Sequence, residues 1–303
     1  MVTPVRTISV LNPVTGARQT NDAFLRPYEN LGDIGIHENW ATSNYNALQV
    51  QLTRRYIKGL QFSVAYTFSK ALGYADNDPG GNGATWTETL PLSLYYSPLS
   101  HNQTHNLVTN FTYDFPKVGG PAPVRFLLGN WQVSGEVALA SGDWAGIQLD
   151  MNPNVDFTGG TNCNFGGGTN TVCEGGAGPV MLRNPRKKGG SAFDESNPWF
   201  DVDAFAAPSL GNLGNTPRTV IQRPGIQTVN ASLFKNFTLG GHRRLQFRLE
   251  GYNVLNHTQI RDIGRTLQFN SVTGELQNRS SVGLATNDSR PPRILQGSFR
   301  LNF

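Results

Sequence analysis

From Leu60 to Lys70 the chain reads LQFSVAYTFSK. Leu60, Phe62, Val64, Tyr66 and Phe68 alternate with Gln61, Ser63, Ala65, Thr67 and Ser69. Successive side chains of a β-strand point to opposite faces, so this segment has one apolar face and one small, polar face. The same period of two recurs near residues 42–56, 104–115, 130–141, 226–238, 244–256 and 293–303. Examples are Leu48, Val50 and Leu52 in the first of these segments, Leu107, Phe111 and Tyr113 in the second, and Leu295, Phe299 and Leu301 in the last. In the 226–238 segment Lys235 interrupts the apolar side. Each segment is close to the ~9–11 residues that a tilted membrane strand needs. No comparably long stretch has helical periodicity, so the chain reads as all-β with about seven antiparallel strands.

The connectors alternate in length. Lys58-Gly59 and Gly240-Gly241 mark tight turns, and residues 116–129 form a Pro/Gly-rich link. Residues 71–103, 142–225 and 257–292 are long. Irregular connectors beyond ~15 residues are unusual in a compact soluble domain. Membrane barrels of the outer-membrane type do pair short turns on one side with long loops on the other. The aromatics sort by strand end in the same way. Tyr56, Phe62, Phe115, Trp131, Phe237, Phe247 and Phe303 fall toward the short-turn side, and Tyr66 and Phe68 toward the long-loop side. Aromatic rings favour the two bilayer interfaces.

The expected architecture is therefore an up-and-down transmembrane β-barrel portion. Its apolar faces meet lipid, and Gln61, Ser63, Thr67 and Ser69 line a wet lumen. Seven up-and-down strands begin and end running the same way, so on their own they predict an open, curved sheet with two bare edges. An eighth strand over Arg6–Leu11 would restore closure, but Pro13 and weak patterning stand against it. A secreted β-sandwich binding module is the soluble alternative, and it requires the Leu60–Phe68 face to be buried in a core. A passive porin or adhesin barrel is the alternative within the membrane class.

Composition is compatible with these expectations. Hydrophobic residues make up 38% and charged residues 15%, with 34 Gly and 18 Pro supplying turns. Mean hydropathy is −0.36, and no run reaches the length of a membrane helix. A strand that shows every second residue to lipid averages to neutral, so this value does not exclude a membrane barrel. The net charge of +4 is scattered, and groups such as Arg186-Lys187-Lys188 read as solvated loop charges, with no stacking motif for nucleic acid. No secretory signal opens the chain, as expected of a processed or truncated exported protein. Cys163 and Cys173 lie in one Gly/Asn-rich loop and predict a disulfide, hence an oxidising compartment.

Four phrases resemble TonB-dependent transporters, specifically the Oar-like group of these receptors. NYNALQVQLTRRYIKGLQFSVAYTFSKAL (44–72) resembles a barrel hairpin of that group, and NPWFDVDAFAAPSLGNLGNTPRTVIQRPGIQTVNASLFKNF (197–237) a late loop and strand. RLQFRLEGYNVLNHTQI (244–260) resembles the penultimate strand, and RILQGSFRLNF (293–303) the last. The resemblance implies the C-terminal part, over 42–303, of a plugged barrel of about 22 strands. It places residues 1–41 in the tail of an outer loop. It also implies the outer membrane of a Gram-negative bacterium, uptake of a bulky, scarce solute energised through TonB, and partners comprising lipid, a plug domain, the remaining strands and the TonB complex. The terminal Phe303, closing an amphipathic strand, resembles the signal that hands such barrels to their insertion machinery.

The candidate chemistry is sparse. Asp76, Asn77, Asp78, Gly80 and Asn82 suggest a calcium loop, but Pro79 intrudes and no bidentate Glu follows, so turn chemistry explains them better. His101 and His105 would share a metal on a helix, yet they introduce a strand. No nucleophile motif joins Asp76 or His101, so neither an enzyme nor a cofactor is expected; an outer-membrane lipase is the best form that an enzyme would take. Glu136, Arg248, Glu250 and Arg300 fall on lumen-facing positions, either to meet solute or plug or to form a polar network pairing across strands. For the last three the network is preferred. In the outer loops Trp86, Trp144 and Trp199 either stack on a ligand or anchor the loops.

Overall fold

A computed structural model describes residues 41–74, 91–152, 178–209, 212–239, 243–288 and 291–303. Seven long strands lie side by side in chain order: β1 (Ser43–Ile57), β2 (Leu60–Gly73), β3 (His105–Asp114), β4 (Trp131–Ala140), β5 (Ile226–Thr238), β6 (Arg244–Tyr252) and β7 (Ile294–Asn302). Each is antiparallel to the next. A short ladder at Ser97–Pro98 extends β2. The strand ends follow the alternation closely, with the widest difference at β6, which stops at Tyr252 rather than near 256. The cause is local. Asn253 takes a left-handed φ of 50°, and its side chain forms a pair of hydrogen bonds with the backbone of His257, each 3.0 Å long. Asn tolerates that conformation and closes the turn with its own amide.

Register separates the faces. Phe62, Phe111, Gly135, Ala231, Gly251 and Leu295 form one row across β2 to β7. The adjacent row on the opposite face runs Thr53, Ser63, Asn110, Glu136 and Asn230. Gly135 is required within its row, because a Cβ there would lie 2.7 Å from the Phe111 ring. At the β1–β2 hairpin Lys58 and Gly59 have φ of 51° and 83°. Two positive φ values make a type I′ turn, whose twist matches that of the strands.

Apart from the short 116–129 link at one end, no second layer covers the apolar face among the described residues. Phe62, Val64, Phe111 and Val137 are only partly buried, and Phe299 is 71% exposed. Of the buried apolar residues described, Ala71 is the one contributed by the seven wall strands. A sandwich would bury this face. Side chains of the edge strands β1 and β7 are almost all exposed. Both edges run toward the short-turn end, and no ladder joins them among the described residues. The sheet is open, as the count of strands predicts.

The buried core lies instead in the long connectors, which corrects their reading as irregular loops. Ile147, Met151, Phe200, Val202, Phe205, Ile221, Ile263, Leu267, Phe269 and Val282 pack together there. Short ladders frame them: Gln148–Asn152 parallel to Thr266–Asn270, Ile260–Ile263 against Ala285–Asp288, Trp144–Ala145 against Ile221–Gln222, and Val180–Met181 against Phe205–Ala206. These runs are too short for periodicity to reveal, and their partners are far away in sequence. The result is a folded cap at the long-loop end. At the other end, the 116–129 link contains a helix, α1 (Ala122–Leu128), with Pro121 at its N-cap and Gly129 at its C-cap. No helix among the described residues is long and apolar enough to cross a membrane. Residues 1–40, with the outer-loop tail and the Arg6–Leu11 alternative, lie outside the described residues.

Candidate functional site

The cap is built on its attachment to the wall. Buried Gln259 continues the β5 ladder with its side chain: its Oε1 accepts from Gln227 N–H at 3.0 Å, and its Nε2 donates to the Gln227 carbonyl. Buried Asn102 does the same for β2, accepting from Ala71 N–H at 2.8 Å. Thr219 donates to the Pro98 carbonyl and lies 3.0 Å from Ser97 Oγ, so the second long connector docks on the first. Backbone polar groups at the end of a sheet need such partners.

An ion network joins the second and third connectors. Arg223 donates from Nη1 to Asp143 Oδ2 at 2.7 Å and from Nε to Asp262 Oδ1 at 3.0 Å. Arg265 donates from Nε and Nη2 to the two oxygens of Asp262, at 3.0 and 3.2 Å, and from Nη1 to the Gly146 carbonyl at 2.9 Å. Burial alone would discourage ionisation of Asp262, but the hydrogen bonds from Arg265 and the Ile263 N–H, with the charges of Arg265 and Arg223, outweigh it and hold the carboxyl below its usual range. Asp150 is the converse case. Burial pushes its carboxyl up despite the hydrogen bond from Gln268 at 3.0 Å, and its Oδ1 is buried without a hydrogen-bond partner among the described residues. At the surface the hydrogen bond from Arg279 holds Asp203 low.

Beside this network the cap opens a cleft of about 370 Å³, lined by Trp144, Met181, Leu182, Arg183, Asn184, Pro185, Arg186, Thr219 and Val220. The Arg186 guanidinium lies over the Trp144 ring, 4.7 Å from its centroid. Asn184 Oδ1 accepts from the Arg186 N–H at 3.0 Å and fixes the turn that brings the arginine there. Arg183 is paired with Asp201 at 2.8 Å, which leaves Arg186 as the cation facing the cleft beside the indole. Trp144 Nε1 is buried with no hydrogen-bond partner among the described residues. A flat ring under a stacked guanidinium suits a ligand with planar or apolar parts and a group that the guanidinium can bind; the Trp144 Nε1, being buried, is turned away from it.

The predicted loop tryptophans thus occupy different settings. Trp144 lines the cleft. Trp199 packs against the cap core and donates from Nε1 to the Gln222 carbonyl at 2.7 Å, which is the geometry of an anchor. Trp86, Cys163, Cys173 and the Asp76–Asn82 loop lie outside the described residues. On the polar face of the wall, Arg248 and Glu250 pair along β6 at 3.6 Å rather than across strands, and Arg248 lies over the Phe234 ring of β5 at 4.7 Å. Arg300 sits opposite Gln246, on edge strand β7. Glu136 is exposed between Asn110 and Asn230. His101 is exposed, while His105 starts β3 with its Nδ1 2.8 Å from the Tyr66 hydroxyl. Among the described residues no group of His, Cys, Asp or Glu is arranged to hold a metal. Terminal Phe303 is 93% exposed. Arg186 and the Asp262 network had no local signal in the sequence, because Arg186 meets Trp144 from far along the same connector and the network joins residues of two different connectors.

Comparison with curated proteins and with solved structures returned no match. One family model does match, the outer membrane beta barrel domain, over residues 3–296, which is nearly the whole chain. An open antiparallel wall with an uncovered apolar face, short turns at one end and a folded cap at the other agrees with that match, and the chain belongs to the outer membrane beta barrel domain family and resides in the outer membrane of a Gram-negative bacterium.

Proposed function

We propose that this chain is wall and cap of a TonB-dependent transporter barrel of the Oar-like kind, taking part in the binding and energised uptake of a bulky, scarce solute. The observation that carries this is the unclosed wall. Its two edges run in the same direction, so a finished antiparallel barrel needs further strands between them. Large plugged barrels have such additional strands. The phrases that resemble the family fall on β1–β2, on the cap leading into β5, on β6 and on β7, which together make up most of the wall. In this role the cap captures solute at the cleft beside Trp144, and the polar face with Glu136, Arg248, Glu250 and Arg300 borders the lumen and its plug. The chain binds and passes solute and performs no catalysis. TonB, the plug and the insertion machinery are the proposed partners.

The DNA upstream of the Met1 codon supplies the test. An open frame encoding a plug and further strands is expected. A stop codon and promoter there would overturn the proposal. Planar bilayers separate the passive alternative: stable unit conductance steps from the purified chain would favour a porin, whereas an open wall gives none.

A further inference from the structure

We infer that α1 is a membrane-surface anchor whose apolar side chains enter the periplasmic leaflet of the outer membrane, among glycerophospholipid acyl chains. In register, Trp131, Lys235, Phe247 and Phe299 form one row of the apolar face, and Phe237 lies on the same face two residues beyond Lys235. Among the described residues, three contacts tie α1 to this face. The Phe126 and Phe237 rings are 5.0 Å apart, Trp131 Nε1 donates to the Leu127 carbonyl at 3.0 Å, and Lys235 Nζ donates to the Gly129 carbonyl. The helix therefore lies against the lipid-facing surface of the wall, at the short-turn end, which in this family's architecture is periplasmic.

This placement accounts for the lysine that breaks the apolar pattern. A bare cation on the lipid face is destabilising. Lys235 is only 1% exposed. Its ammonium meets the carbonyl at the C-terminal end of the helix and lies 5.2 Å from the centroids of both the Trp131 and Phe237 rings. While covering that charge, α1 leaves its own apolar groups bare: Phe126 is 49% exposed, Leu127 62% and Leu128 58%. Phe115, whose N–H donates to the Trp131 carbonyl, and Leu239, two residues beyond Phe237, are exposed as well. What covers the patch follows from continuity, because it adjoins the uncovered apolar wall that already faces lipid. Seven residues of helix reach about 10 Å, too short to cross but long enough to lie in the interface. Exposed Lys117 and Arg125 would sit at the level of the phosphates, and neither end of the helix carries an acidic residue.

The test uses the full chain, with Cys163 and Cys173 replaced by Ser, folded into vesicles of phosphatidylethanolamine and phosphatidylglycerol. A nitroxide is attached at Leu128→Cys, an exposed position outside the packing contacts, and in a second sample at Lys58→Cys in the β1–β2 turn. We expect the Leu128 label to be reached by oxygen and shielded from a water-soluble nickel chelate, and the Lys58 label to show the reverse. Nickel access at Leu128 equal to that at Lys58 would overturn the proposal. Shielding from both reagents would also overturn it, by indicating a protein partner or a second copy. Lys235→Met removes the tie to Gly129 but leaves a lipid-compatible wall, so the Leu128 label should become more mobile. An unchanged spectrum would refute the role of Lys235 in holding the helix.

Discussion

The guanidinium of Arg223 reaches the carboxylate of Asp262 at 3.0 Å, tying the last residues before β5 to the connector that follows β6. Because Asp262 is ionised and doubly partnered, Asp262→Asn should loosen the cap by about 1–3 kcal/mol at neutral pH, read as faster protease cleavage in the long connectors. The pH dependence has a definite sign. Asp262 is held below its usual range, so its contribution is present above the ordinary carboxylate value and is lost as pH falls through the depressed one. In acid the variant and the parent should therefore converge.

Asp150 should behave in the opposite way. Its carboxyl is raised by burial, so what stability it contributes is present at low pH and is lost as pH rises through the raised value. Asp150→Asn is expected to make the cap more resistant to protease at neutral pH and to change little in acid. A variant weaker than the parent at neutral pH would contradict a buried Oδ1 that has no hydrogen-bond partner among the described residues.

Gly135 and Phe111 are complementary across β3 and β4. Gly135→Val puts a side chain where the Phe111 ring already lies and should cost about 1–3 kcal/mol, seen as a lower midpoint in urea for the chain in micelles. Combining it with Phe111→Ala should recover part of the loss, because the two changes share one space.

The two described cap tryptophans should separate in experiment. Trp199→Phe removes the indole donor to Gln222 and should lower cap stability by about 0.5–1.5 kcal/mol, measured by amide exchange. If the proposed function holds, Trp144→Ala should lower solute uptake by cells carrying the whole protein while leaving exchange in the cap core close to that of the parent.

The β1–β2 turn offers a backbone test. At Gly59, φ is 83° and a Cβ would approach the Asp114 carbonyl oxygen to 2.6 Å. Gly59→Ala is expected to destabilise the hairpin by about 1–3 kcal/mol and to slow recovery of the heat-stable band on refolding in detergent.

The wall was legible because its signal is repeated and one-sided: residues such as Leu60, Phe62 and Val64 show their face without help from distant partners. The cap was not legible, because Leu267 and Phe269 alternate over a span too short to exclude coincidence and pair with Leu149 and Met151, more than a hundred positions away. The same limit concealed α1. In sequence Pro121, Pro123 and Gly129 read as a plain link, and Lys235 read as a flaw. The contact between Lys235 and Gly129 explains both features together. For the candidate site, Trp144 was visible as a loop aromatic, but nothing near it in the sequence announced Arg186 as its stacking partner.

The like orientation of β1 and β7 also imposes a parity rule. Each strand added between them reverses direction once, so only an odd number of extra strands can seal the ring with antiparallel seams on both sides. Any assembly that supplies an even number would leave one mismatched seam, which provides a simple arithmetic check on every proposed neighbour of this wall.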